Sequence, residues 1–183
     1  MAVAVVNRHS RVAVPVARLA RAARHALAAV GRPAGQLDVL LVDDAEIRRL
    51  NGAWRGVWRR TDVLAFPLEV PTGPLLGQVV ISAEAARRQA RRLGVPLGLE
   101  LELLVTHGVL HAVGWDDRDP VEAGLMHARE REVLSAAHGR VPDRLWRGLL
   151  EHASRKSALK ERSHAAPVSG HPRTHAAPGS PLQ

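Results

Sequence analysis

The chain has no cysteine and no tyrosine among its 183 residues, and only one phenylalanine. Without cysteine it can form neither a disulfide nor a thiolate metal site, which fits a protein kept in the cytoplasm. With Phe66 and four tryptophans as the only aromatic residues, composition gives no evident base-stacking platform. No apolar run reaches the roughly 18 residues that a membrane span needs, and the first ten residues carry no export signature. The chain is therefore expected to be soluble and not exported. Lysine is scarce as well, being confined to Lys156 and Lys160.

The basic surplus is almost entirely arginine. The net charge is +8: residues 1–153 hold 21 Lys+Arg against 17 Asp+Glu, and residues 154–183 hold 5 against 1. Arginine forks onto phosphate oxygens, so the surplus suits a phosphate-rich partner, although a GC-rich genome gives the same bias. The length fits one domain with an appendage. From about Ala153 the composition turns to Ser, His, Ala, Pro, Arg and Gly. Residues 1–153 are thus expected to form the domain and 154–183 a disordered basic tail, which has too little apolar surface to offset its ordering entropy.

Periodicity predicts strands at Ala2–Asn7, Gln36–Val42, Asp62–Phe66 and Gly77–Ile81. It predicts helices at Val16–Val30, from an Asp43 or Asp44 cap through Trp54, and at Ala83–Leu93 after a Ser82 cap. Pro67–Pro74 reads as a loop and Gly94–Gly98 as a separator. The apolar run Leu99–Val113 reads as a buried central helix. Asp119-Pro120 opens a helix to about His138, and Val141–Glu151 holds a last short one. The fold class is α/β, a single domain of about four short strands packed with helices.

The chemistry gathers at the end of the central helix. His107 and His111 are four residues apart, so both imidazoles leave one face, one turn apart. Gly114 ends the helix, and the reversal can bring Asp117 back beside them. Two imidazoles and a carboxylate with a position left open is how a catalytic zinc is usually held. Spacing alone means little: with ten histidines in the chain about half a pair falls at this spacing by chance. His171 and His175 are such a pair, with Pro172 between them to prevent a helix. The competing reading of His107 and His111 is a pair of core histidines bonded to backbone. A zinc protease would carry its general base at position 108, where this chain has Gly108, so a zinc peptidase is disfavoured.

The stretch His107-Gly108-Val109-Leu110-His111-Ala112-Val113-Gly114-Trp115-Asp116-Asp117 resembles the signature of the YbeY family, metal-dependent endoribonucleases of bacterial ribosomal RNA maturation. Leu50-Asn51-Gly52-Ala53-Trp54-Arg55-Gly56, Thr61-Asp62-Val63-Leu64-Ala65-Phe66-Pro67, Leu76-Gly77-Gln78-Val79-Val80-Ile81-Ser82, Glu122-Ala123-Gly124-Leu125-Met126 and Glu130-Arg131-Glu132-Val133-Leu134 extend the likeness, in family order, over about residues 1–138. Asp117 stands where the family has its third histidine, Gln78 where an aspartate is common, Trp115 for tyrosine and Arg60 for proline.

The resemblance implies a mixed sheet with the metal site in a cleft near the central helix. It also implies a single-strand-specific endoribonuclease acting in 16S ribosomal RNA 3′-end maturation and ribosome quality control, with ribosomal RNA and the small subunit as partners. The expected ligands are His107, His111 and Asp117 around one divalent ion. Zinc is expected, with manganese or magnesium admitted by the harder oxygen donor. Arg55 matches the family's functional arginine and is expected to stabilise charge on the phosphorane; otherwise it is a solvated helix-end charge. Asp116 is expected either to accept from a ligand imidazole or to bond within its own turn. Arg59, Arg60 and the Arg87–Arg92 edge read as an RNA track or as a solvated face. A non-catalytic RNA- or ribosome-binding factor with a weakened metal site stays open beside the nuclease.

Overall fold

A computed structural model describes residues 3–9, 11–68 and 75–149. In chain order come β1 (Val3–Asn7), α1 (Val16–Ala29), β2 (Gln36–Val42), α2 (Asp44–Arg55), β3 (Val63–Pro67), β4 (Leu75–Ser82), α3 (Ala83–Leu93), α4 (Leu97–Ala112) and α5 (Pro120–His138), followed by a 3-10 helix at Asp143–Trp146. Ala2, the loop residues 69–74, Glu151 and the tail 154–183 lie outside the described residues.

Local chemistry places the helix starts. The Asp43 carboxylate accepts from the Glu46 amide, Ser82 from the Ala85 amide, and Asp119 from the amides of Val121 and Glu122, with Pro120 at the first helical position. Each cap satisfies donors that the helix itself cannot. Asp44 is released to tie elements together, accepting from Ser82 Oγ at 2.7 Å and pairing with Arg88 and Arg60. The central helix begins at Leu97, two residues ahead of expectation. Pro96 has no amide to satisfy, and its carbonyl takes the amides of Leu99 and Glu100, so helix starts where proline's restriction ends. Pro67 closes β3 opposite Gly77, inside what the sequence suggested was loop.

The sheet has the order β1-β2-β4-β3, with β1, β2 and β4 parallel and β3 antiparallel on the edge. Because side chains alternate along a strand, its two faces carry separate cores. Leu37, Val39, Leu41, Val79 and Ile81 face α1, α3 and α4; Leu40, Val42, Leu64, Val80 and Phe66 face Ile47 and Leu50 of α2. The helix α4 is buried almost all round, from Leu99 through Leu110. Gly108 sets how closely it approaches the sheet: a methyl group there would lie 2.5 Å from Val79 Cγ1 on β4. The glycine that removed the protease base is thus the point where helix and sheet interlock.

Glu100 enters the same helix without a full set of partners. It is buried and its Oε2 accepts no hydrogen bond from the described residues. Burial, reinforced by the nearby Asp62 carboxylate and only partly offset by Arg92, pushes its pKa up to about 8. A raised carboxyl pKa destabilises the fold as pH rises from the unfolded value towards the folded one. Glu100→Gln is therefore expected to match the wild type near pH 4 and to exceed it in stability at pH 8. Urea denaturation at the two pH values checks this, and an unchanged difference would show that Glu100 is ionised in the folded protein.

Candidate metal centre and cleft

His107 and His111 stand one turn apart on α4 with their Nε2 atoms 3.0 Å from each other. The chain then reverses at Gly114, which has a φ of +100°, a value that favours glycine. The following turn brings Asp117 back, with Oδ2 3.9 Å from His107 Nε2 and Oδ1 3.8 Å from His111 Nε2. One donor atom from each of the three residues lies within 4.8 Å of the others, a group that could hold a metal ion.

What backs the imidazoles decides which nitrogen faces the cleft. His111 Nδ1 lies 2.9 Å from the Trp115 carbonyl, which can only accept, so the ring carries its proton there. His107 Nδ1 lies 2.7 Å from Glu130 Oε1. The other Glu130 oxygen takes His127 Nδ1 at 2.9 Å and the indole N–H of Trp146 at 3.0 Å. Burial by itself raises the Glu130 carboxyl, but the hydrogen bonds to His107 and His127 outweigh it and hold the group below its ordinary value. Glu130 is therefore a charged acceptor, and both cleft-facing Nε2 atoms are left as lone-pair donors. Two nitrogens bound to one zinc at 2.0–2.1 Å would stand about 3.3 Å apart. The separation of the imidazoles, 3.0 Å, is close to that and is also within hydrogen-bond distance.

These groups open into a cleft of about 550 Å³ whose walls include Arg55, Asp62, Ala65, His107, His111 and Asp117. Arg55, in the last turn of α2, reaches across the edge strand and donates to the Ala65 carbonyl at 3.4 Å. The four residues singled out from the sequence, Arg55, His107, His111 and Asp117, are thus brought to one cavity.

Asp116 follows the other of its two readings. Its carboxylate takes the Arg118 guanidinium, 2.6 Å from Nε, and the Arg118 amide at 3.1 Å. Arg118 holds it below the usual carboxylate range. The acceptor behind the His107 imidazole is Glu130 instead, held in turn by donors from His127 and Trp146, and the sequence reading missed all three. A signal was present: Ala123, Met126, His127, Glu130, Val133 and Leu134 form the buried stripe of α5, and an acid inside such a stripe demands partners. In the basic edge, Arg88 and Arg60 are engaged with Asp44, and Arg92 bonds Gln89.

The sequence profile of the family described as Endoribonuclease YbeY matches residues 4–138. The chain is 43% identical over 138 residues to the endoribonuclease YbeY of Anaeromyxobacter sp. (strain Fw109-5), covering 74% of this chain and 72% of that one. It is 40% identical over 171 residues to the endoribonuclease YbeY of Anaeromyxobacter dehalogenans (strain 2CP-C), covering 92% and 87%. Its identity to that of Thermobifida fusca (strain YX) is 38% over 148 residues, covering 75% and 90%. The solution structure of a Thermotoga maritima protein aligns with 92% of this chain and 99% of its own, with a TM-score of 0.53 at 20% identity, a likeness of fold alone. Among the described residues, no helix is long and apolar enough to cross a membrane.

Proposed function

The chain belongs to the Endoribonuclease YbeY family, and on that premise we propose that it is a metal-dependent endoribonuclease of single-stranded RNA. Its proposed substrate is the 3′ region of 16S ribosomal RNA, cleaved in the cytoplasm during small-subunit maturation and quality control. One observation carries the reading: two imidazole Nε2 atoms and a carboxylate converge in a cleft that also holds Arg55.

His107, His111 and Asp117 would hold the ion. Zinc suits two nitrogens and an oxygen, and the carboxylate extends the range to manganese or magnesium. When bound, a divalent ion supplies Lewis acidity towards a phosphoryl oxygen and makes water more acidic. The protein does the rest. Glu130 keeps the His107 proton on Nδ1, and the Trp115 carbonyl does the same for His111, so both rings stay oriented as donors. Arg55 brings a fixed positive charge to the cavity for the charge that gathers on phosphate oxygens during cleavage. Asp117 replaces a neutral imidazole by an anion and lowers the net charge at the centre by one.

The test is metal content by elemental analysis paired with cleavage of a single-stranded RNA, with and without chelator. Wild type is expected to retain about one ion per chain and to lose cleavage on chelation. Asp117→Ala should lose most of its metal, while Asp116→Ala, whose carboxylate is turned to Arg118, should keep it. Loss of metal in Asp116→Ala alone would transfer the third-ligand role to that residue. Absence of metal and cleavage from every protein would leave the non-catalytic RNA-binding reading.

A further inference from the structure

Large aromatic side chains are normally covered, as Trp146 is at 1% exposure, yet Trp54 and Trp58 are 72% and 62% exposed. They lie in the segment Ala53-Trp54-Arg55-Gly56-Val57-Trp58-Arg59-Arg60, every residue of which is exposed. That segment interleaves two tryptophans with three arginines and contains no acid. Overall scarcity of aromatic residues hid the feature, because two of the four tryptophans fall within five residues of one another.

The connector is held in shape. The Asn51 side chain donates to the Arg59 carbonyl at 2.9 Å, and Arg48 Nε donates to the Trp58 carbonyl at 3.1 Å. The Trp58 indole lies over Gly52 of α2. A methyl group on Gly52 would stand 2.4 Å from Cδ2 and Cε3 and 2.7 Å from Cε2, within the footprint of the fused ring. One face of the indole is therefore seated on the helix, in room that only glycine leaves, and the rest meets solvent. Trp54 packs edge-on against Phe66 at 5.8 Å. Phe66 follows Ala65, whose carbonyl receives Arg55 from the cleft side. Trp54 and the cleft thus share the β3 edge through Phe66 and Ala65, while Trp58 sits on Gly52 of the helix that carries both Trp54 and Arg55.

We propose that Trp58, together with Trp54, is a stacking platform that takes nucleobases of single-stranded RNA and leads the strand across the β3 edge to Arg55 and the cleft. The proposal rests on the ribonuclease reading of that cleft. A planar face that is held but uncovered matches a nucleobase, and neighbouring arginines match the phosphates between bases. A duplex keeps its bases stacked on one another and cannot use the platform. An apolar protein partner would gain nothing from three arginines.

The test uses the full chain and labelled oligoadenylate, first in chelator so that binding is read without turnover. Trp58→Ala is expected to weaken binding about tenfold and to do so in high salt as well, where phosphate contacts fade. Trp58→Phe should recover most of the affinity, and Gly52→Ala should lose part of it by unseating the ring. Duplex RNA should bind all of these variants alike. With metal restored, the loss in Trp58→Ala should fall on KM rather than kcat. If Trp58→Ala binds single strands like wild type while cleavage persists, the platform is wrong, the nuclease reading stands, and the exposed tryptophans are a protein contact. If single strands need Trp58 but are never cleaved, the platform holds and the nuclease reading fails.

Discussion

Replacing Glu130 by alanine is expected to lower stability by about 3–5 kcal/mol and, on the proposed metal-dependent reading, to weaken metal binding at His107. Estimates of that size apply when one partner of a buried charged network is deleted and the others are left unpaired. Three donors depend on this carboxylate: His107, His127 and Trp146, all within 3.0 Å. Its removal frees the His107 ring to rotate or to move its proton to the cleft-facing nitrogen. Glu130→Gln keeps the volume but not the charge, so it should fold with reduced stability and hold metal weakly. The pH dependence has a definite sign. A carboxyl held below its ordinary value contributes stability above the unfolded pKa and loses it as pH falls through the folded one. Wild type should therefore weaken in acid more steeply than Glu130→Gln. Denaturation curves at pH 7 and pH 4 together with metal analysis check the set. A Glu130→Ala protein that melts with wild type and keeps its ion would show that the bridge is dispensable.

Arg55→Ala is expected to cut the cleavage rate by about 10²–10³, the size seen when a group aimed at developing transition-state charge is removed. Binding should suffer much less, because Arg59 and the exposed tryptophans remain. Arg55→Lys should recover only part of the rate, since an ammonium lacks the planar fork that grips two phosphate oxygens. Arg55 is exposed at the end of α2 and, among the described residues, makes a single long bond, to the Ala65 carbonyl. Its loss should leave the melting temperature almost unchanged, which separates chemistry from folding. Rate and RNA affinity measured on the same preparations decide the matter, and equal losses in both would make Arg55 a docking contact.

What could be read beforehand was local chemistry. Ser82 and Asp119 announce their helices because short polar side chains reach back to free amides, and the pair His107 and His111 needs only the helical period to share a face. The strands of β2 and β4 show as short β-branched and leucine runs. Register and order are another matter, since Leu75 pairing with Gln36 involves residues 39 apart with nothing local to signal it. Glu130 is a half-hidden case: its place in the apolar stripe of α5 is a local sign, but its partners are not. Within Glu130-Arg131-Glu132 it looks like surface charge, and only the packing of Trp146 and α4 against α5 turns it inward. Asp116 and Asp117 are adjacent acids with opposite fates: one carboxylate takes the Arg118 guanidinium and amide, the other turns to the two imidazoles. Such competition between neighbours is settled by three-dimensional placement.

The wedge of Gly108 against Val79 makes the site unequal in its freedom to vary. Gly108, between His107 and His111, is where α4 packs directly on Val79, so their rungs of the helix cannot turn or slide without dragging β4. Asp117 rides on a turn whose bonds, from Asp116 to Arg118 and from Asp119 to Val121 and Glu122, close on neighbouring residues. Asp117→His is therefore expected to leave the fold intact, whereas a change at 107 must also disturb the buried carboxylate behind it. On the proposed metal-centre reading, 117 is the ligand position whose exchange disturbs the fold least, and this chain carries aspartate there.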